Sequence, residues 1–346
     1  MTGIAPLNLI TDVCGIRVGN THDEALASGV TVLLTDGPAN AAAVLLGGGP
    51  GTRELDALSL EGVVGAVNGI VLSGGSAFGL DAATGVQSYL RERHEGFPVG
   101  PARVPIVPQA ILFDLLNGGD KNWGLHPPYR DMAYAAAHVA SALFELGSAG
   151  AGYGATVALT ENRRMRGGLG SASAVVPGVE AEDGSPITAG ALVAVNAAGA
   201  VTYGDSAHFL AAPFEEGKEF GGRGLPESSS KLSWAPALKG LPIANTTLCI
   251  LATDAILTRG DCKRLAIMAA AGMARAISPV FTPLDGDIVF ALAAGKHALR
   301  DSVRSLALLG AAAAGCVTRA IARGVFEAAG CLPDGTKPYR ELFPFP

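Results

Sequence analysis

Charge is what this chain has least of. Asp, Glu, Lys and Arg make up 16% of its 346 residues, against roughly 25% in an average globular chain. The net charge is -6 and no basic block occurs, so nothing in the sequence can neutralise a row of phosphates, and a nucleic-acid partner is not expected. Cysteine is sparse as well: Cys14, Cys249, Cys262, Cys316 and Cys331 lie far apart with no CxxC pair, which is the usage of a reduced, cytoplasmic protein rather than a disulfide scaffold. The six histidines show no HxxxH or HxH spacing, so neither a metal site nor a cofactor is expected. The N-terminal MTGIAPLNLITDV has no basic region followed by an apolar run, and no secretory signal is expected. LALLGAAAAGCV, Leu306 to Val317, is too short to span a bilayer, and no membrane partner is expected.

Apolar residues and glycine are what the chain has in excess. Hydrophobic residues reach 49% and there are 47 glycines, about twice the usual glycine share. Such a chain buries a large core in a layered fold or between subunits. GVTVLLTD, AAAVLLGGGPGT and VVGAVNGIVLSGGSAFG alternate apolar runs with glycine turns and read as strands of a central sheet. Asp81 to Glu92, Asp131 to Leu146 and Asp261 to Ile277 have helical spacing with capping residues at hand. Asp301 to Ala329 reads as a last helix, interrupted or ended at its glycines. ALVAVNAAGAVTY reads as strand, turn and strand. Thr247 to Ile256 and DGDIVFALAAG read as two more strands. Ahead of these two strands, Glu215 to Gly240 loses all periodicity and gains Gly, Pro and Ser, the composition of an exposed linker.

Chemistry concentrates on a few positions. LPIANTTLCILATDA puts an asparagine and two threonines in front of a buried strand. A threonine hydroxyl needs a base, and no histidine lies within thirty residues of Thr246. Cleavage of the Asn245–Thr246 bond would supply one, because a free α-amine of pKa about 7.7 to 8 can take the proton. The competing reading is that β-branched residues simply begin a strand. In TPLDGDIVFAL, Asp285 and Asp287 stand two apart at the mouth of a strand. They are either a coupled pair, one with a raised pKa, or an acidic turn. Asn196 in LVAVNAAG either aims its amide at an oxyanion or opens a turn. GGGPGTRE and SGGSAFG match neither a phosphate loop nor a nucleophile elbow, and suit tight turns beside a pocket.

Taken in order, GGGPGTRELD, LSGGSAFGLDAATGV, GAGYG, GGLGSAS, VNAAG, ANTTLCILATDA, DCKRLAIMAAAGMARAI and TPLDGDIVFALAAG resemble the self-processing family of L-aminopeptidase/D-amidases, β-peptidyl aminopeptidases and nylon-oligomer endo-hydrolases. The resemblance spans about Asp12 to Ala329. It implies a single large α/β domain, an αββα sandwich of N-terminal-nucleophile type, cleaved into an α chain of 1–245 and a β chain of 246–346. It implies Thr246 as nucleophile through an acyl-enzyme, Asp285 and Asp287 as the supporting acidic pair, Asn196 in transition-state stabilisation, a small peptide or amide substrate, and a homotetramer of αβ units. Arg166 stands where many relatives carry lysine and Phe113 where some carry tyrosine, both at positions the resemblance places near substrate. The alternatives to an amide hydrolase are an acyltransferase similar to the ornithine acetyltransferases and a binding protein that keeps the fold without the chemistry.

Overall fold

The computed structural model describes residues 7–227, 238 and 245–345. Its strands are β1 (Ile16–Asp23), β2 (Ser28–Leu45), β3 (Thr52–Arg53), β4 (Ala66–Ser73), β5 (Phe97–Val99), β6 (Ala102–Val104), β7 (Gln109–Ile111), β8 (Thr156–Thr160), β9 (Arg163–Arg166), β10 (Gly168–Glu180), β11 (Pro186–Asn196), β12 (Thr246–Ala255) and β13 (Ile288–His297). The helices are α1 (Ala82–Glu92), α2 (Tyr129–His138), α3 (Arg259–Ala276), α4 (Ser302–Glu327) and the single turn α5 (Tyr339–Leu342). Nine strands hydrogen-bond in the order β10-β11-β12-β13-β2-β4-β7-β3, with β1 on β2. β12 and β13 pair in parallel, which requires a long crossover, and helix α3 supplies it.

Three separate apolar cores show how this path is layered. Cys249 and Leu251 of β12 join Val289 of β13 and Val193 of β11 under Leu265 of α3 and Val317 of α4. The alternate residues Leu248, Ile250 and Ala252 turn to the other face, where they meet Val18 of β1, Leu33 of β2 and Ile70 of β4. Val30, Val32 and Leu34 of β2 form a third core with Val86 of α1 and Ala133 of α2. Strand residues alternate faces, so three cores define four layers: α3 and α4, one sheet half, the other sheet half, then α1 and α2. This is the αββα sandwich. The two halves are continuous through β2, whose pairing with β4 shifts register between Leu34 and Ala39, around Gly37 and Pro38. The two apolar runs read as separate strands are therefore one bent strand.

Local chemistry explains the other elements. Thr258 caps α3 reciprocally: its Oγ1 accepts from Asp261 N at 3.1 Å and its own N–H donates to Asp261 at 3.0 Å. α4 is one unbroken helix across its glycines. Gly170 of β10 lets it lie flat, since a Cβ there would sit 1.8 Å from Ala320 O. By length and composition α4 could cross a membrane, but 67% of that stretch is buried within the fold.

Several expectations need correction. α2 starts earlier and ends at His138, not Leu146, and the apolar residues after it form no helix. The second strand expected after Asn196 is replaced by isolated bridges from Ala200 and Thr202. The segment from Glu215 is not an exposed linker throughout. It lacks regular structure to residue 227, yet Phe220 is buried and Glu219 is bound by Arg319 at 2.5 and 2.9 Å. Residues 228–237, 239 and 240 of that expected linker lie outside the described residues.

Candidate active site

The open end of β12 gathers the predicted residues. Asn196, the last residue of β11, lies directly opposite Thr246, the first of β12, so both side chains project from the same face. Asn196 is fully buried, and its amide is fixed at both ends: Oδ1 accepts from Thr156 N at 3.0 Å and Nδ2 donates to Phe113 O at 3.0 Å. Phe113 enters the site through its carbonyl.

On the other side of β12 the segment 281–287 folds into a turn held by its own two carboxylates. Asp285 Oδ1 accepts from Ala198 N at 3.0 Å, and its Oδ2 accepts from Thr282 Oγ1 at 2.5 Å and Thr282 N at 3.3 Å. Asp287 Oδ1 accepts from Thr247 N at 2.7 Å and its Oδ2 from Phe281 N at 3.0 Å. The β12–β13 ladder begins at Leu248 and Ile288. One step earlier in that register, the Asp287 carboxylate takes the Thr247 N–H in place of a main-chain acceptor. Neither aspartate forms an ion pair among the described residues. Burial, followed by the negative charge of Asp285, pushes the Asp287 carboxyl up to about 7. The two carboxylates brace the turn, and that of Asp287 is the one raised toward neutrality.

The glycine motif GGGPG closes the site from outside. Gly47 N, Gly48 N and Gly49 N donate to the carbonyls of Asp287, Thr282 and Asp285 at 3.2, 3.2 and 2.8 Å. The loop is docked along its main chain, which is why residues without side chains suit it.

At the centre sits the Asn245–Thr246 peptide. Thr246 is 3% and Asn245 4% exposed. Thr246 Oγ1 donates to the Asn245 carbonyl at 2.5 Å, and Gly286 N donates to the same oxygen at 2.8 Å. The carbonyl is thus polarised by two donors, with a hydroxyl against it. Thr282 and Gly286 were not singled out from the sequence. Their only local sign was their place within and beside the DGD turn.

Arg166 does not join this cluster. It is buried, with Nη1 on the Ala329 and Gly330 carbonyls at 2.8 and 3.0 Å and Nη2 on the Tyr153 carbonyl. Its guanidinium ties the turn after α4 to the body of the fold. Among the described residues no group of three or more His, Cys, Asp or Glu could hold a metal ion.

Residues 8–335 match peptidase family S58. An uncharacterised aminopeptidase of Mycobacterium tuberculosis is 39% identical, covering 98% of both chains. A 6-aminohexanoate-oligomer endohydrolase of Kocuria is 27% identical over 81% of this chain and 73% of its own. The L-aminopeptidase D-Ala-esterase/amidase of Ochrobactrum anthropi, described as a variant of the Ntn hydrolase fold, superposes with a TM-score of 0.69 at 20% identity, covering 99% of this chain and 94% of that one. A buried hydroxyl, a coupled acidic pair and a match over nearly the whole length lead to one assignment: this chain belongs to peptidase family S58 and is a hydrolase of peptide or amide bonds.

Proposed function

We propose that the protein cleaves itself between Asn245 and Thr246 and then uses Thr246 as an N-terminal nucleophile. The observation that carries this reading is the Thr246 hydroxyl 2.5 Å from the Asn245 carbonyl oxygen, with Gly286 N–H on the same oxygen. In maturation Oγ1 attacks the Asn245 carbonyl carbon. The hydroxyl proton passes through the Asp287 carboxylate to the Thr246 nitrogen as the C–N bond breaks, leaving an ester. Water then opens the ester, a proton returns to Oγ1, and the products are a carboxylate at Asn245 and a free amine on Thr246.

Before cleavage that amine does not exist, so another base must serve, and Asp287, titrating at about 7, is suited to it. In turnover the amine takes the hydroxyl proton, an acyl-enzyme forms on Oγ1, and water releases the acid. Asp285 holds Asp287's turn, and Asn196, its amide locked in place, stabilises the developing negative charge. The substrate we assign is a short peptide or amide, in keeping with the aminopeptidase and oligomer endohydrolase among its relatives. Five unpaired cysteines support a cytoplasmic location, and a homotetramer of αβ units is the assembly we expect, to be read by light scattering.

The test is the intact mass of the purified protein under denaturing conditions, beside Thr246→Ala. Two fragments, 1–245 and 246–346, are expected for the natural chain and one for the variant, which should hydrolyse no amide. A variant that matures and remains active overturns the reading.

A further inference from the structure

We infer that the ladder position occupied by Asn245 before cleavage becomes the substrate's acyl-residue site, with Leu284 O and Gly286 N–H as its two backbone partners. This rests on the self-cleavage proposed above. Asn245 forms a parallel bridge with Asp285, in the same register as the Leu248–Ile288 pairing that begins the β12–β13 ladder. Its N–H donates to Leu284 O at 3.2 Å and its carbonyl accepts from Gly286 N at 2.8 Å. One residue therefore satisfies a donor and an acceptor on the neighbouring segment, the usual geometry of an added strand residue.

Once the bond is cut, Asn245 is no longer held by Thr246, and both partners are released at the one place where a carbonyl lies against Oγ1. An incoming acyl group must put its carbonyl in that same place to be attacked. Gly286 is shaped for this. A Cβ on it would fall 2.7 Å from Thr246 Oγ1 and 2.6 Å from Gly49 O, so only glycine brings its N–H this close to the nucleophile.

The geometry also selects the acyl unit. In an α-aminoacyl residue the nitrogen and the carbonyl are separated by one carbon, as in Asn245, so both bonds form together. A β- or ω-aminoacyl group carries its nitrogen farther away and cannot reach Leu284 O while its carbonyl sits under Gly286. The side-chain recess is enclosed. Asn245 is 4% exposed, and its Oδ1 is buried with no hydrogen-bond partner among the described residues. The recess therefore accepts a group of about asparagine's size and leaves its buried oxygen without a donor.

The test uses the cleaved protein, with its two fragment masses verified, and three p-nitroanilides: L-asparaginyl, 3-carbamoylpropanoyl (the same acyl chain without the α-amine) and 6-aminohexanoyl. The L-asparaginyl compound should exceed each of the others in kcat/KM by about tenfold or more, the worth of one lost hydrogen bond at a buried site. A cleaved enzyme for which either of the others is an equal substrate, or which hydrolyses none of the three, overturns this site and leaves self-cleavage standing. A chain that stays whole overturns both.

Discussion

Asp287 and Glu219 are both acids buried in the same fold, and their surroundings move their protons in opposite directions. Burial works against the charge of each. At Glu219 it is outweighed by the Arg319 guanidinium, which donates Nε and Nη2 to the carboxylate at 2.5 and 2.9 Å, and by Asn8 Nδ2 at 2.7 Å, so the acid is held below its ordinary value. At Asp287 the partners are two backbone amides, the nearest charge is the like charge of Asp285, and the acid rises to about 7. A carboxylate clasped by a guanidinium is locked in one protonation state and serves as a fastener. One solvated by amides beside a second carboxylate can gain or lose a proton near neutrality, as acid–base work requires.

The comparison breaks most visibly in rates. Asp287→Asn should slow maturation by about 10²–10⁴-fold, the usual worth of a positioned base, read as the half-life of the full-length mass. Glu219→Gln should change that half-life by less than about threefold, because the clasp touches none of the reacting atoms. A Glu219 variant that stalls as an intact chain would erase the distinction. In stability the order inverts. Glu219→Gln takes the carboxylate that grips two of its nitrogens from Arg319, whose side chain is 3% exposed, and leaves it the longer Glu216 contact at 3.4 Å, so it should cost up to about 3 kcal/mol in chemical denaturation. Asp287→Asn should cost less than that above pH 7, because the buried charge it removes offsets the acceptor that Thr247 N or Phe281 N loses to the amide NH2.

The pH dependence sharpens the same contrast. Asp287's folded pKa is raised from 3.8 to about 7, so the stability it contributes is complete below the ordinary value and is lost as pH rises through 7. Glu219's is lowered from 4.5, so its contribution is complete above that value and is lost as pH falls through the lower, folded one. Melting temperature measured from pH 3 to 8 should show both limbs. Asp287→Asn should flatten the neutral limb and Glu219→Gln the acid one.

Only one of these two sites was legible in the sequence. The DGD spacing, the NTT step before an apolar run and the VN strand end are local patterns, and hydroxyl or carboxyl groups at the mouths of buried strands conflict with packing alone, so they stand out. The clasp leaves no such trace. Glu219 lies in a glycine-rich stretch that reads as exposed, and its partner Arg319 is a hundred residues away on α4. Arg166, singled out only through the resemblance, gives its Nη1 donors to carbonyls of the turn after α4, contacts that its own segment does not announce. Apolar strands mixed with capped helices pointed to a layered fold, and the αββα order of the layers was expected only from the family resemblance. The bend that makes β2 one strand depends on a register shift that no single segment encodes.

The smallest effect we predict separates the two aspartates from each other. Asp285→Asn keeps an acceptor for Ala198 N, which bonds Oδ1 at 3.0 Å, and an amide nitrogen able to donate to Thr282 Oγ1, which now lies 2.5 Å from Oδ2; it gives up only the longer bond from Thr282 N at 3.3 Å. The turn should hold and self-cleavage persist. The change removes one negative charge, and that charge is the second cause, after burial, of Asp287's raised pKa. Burial remains, so Asp287 should still titrate above its ordinary range, but lower than before. If maturation needs the Asp287 carboxylate, its rate should rise with pH through a limb near 7 in the natural chain, and that limb should move to lower pH in Asp285→Asn. Rates of fragment appearance from pH 5 to 9 measure this directly. A limb that stays in place would mean that Asp285 acts on the reaction by geometry alone, and that the proton leaves Thr246 by another route.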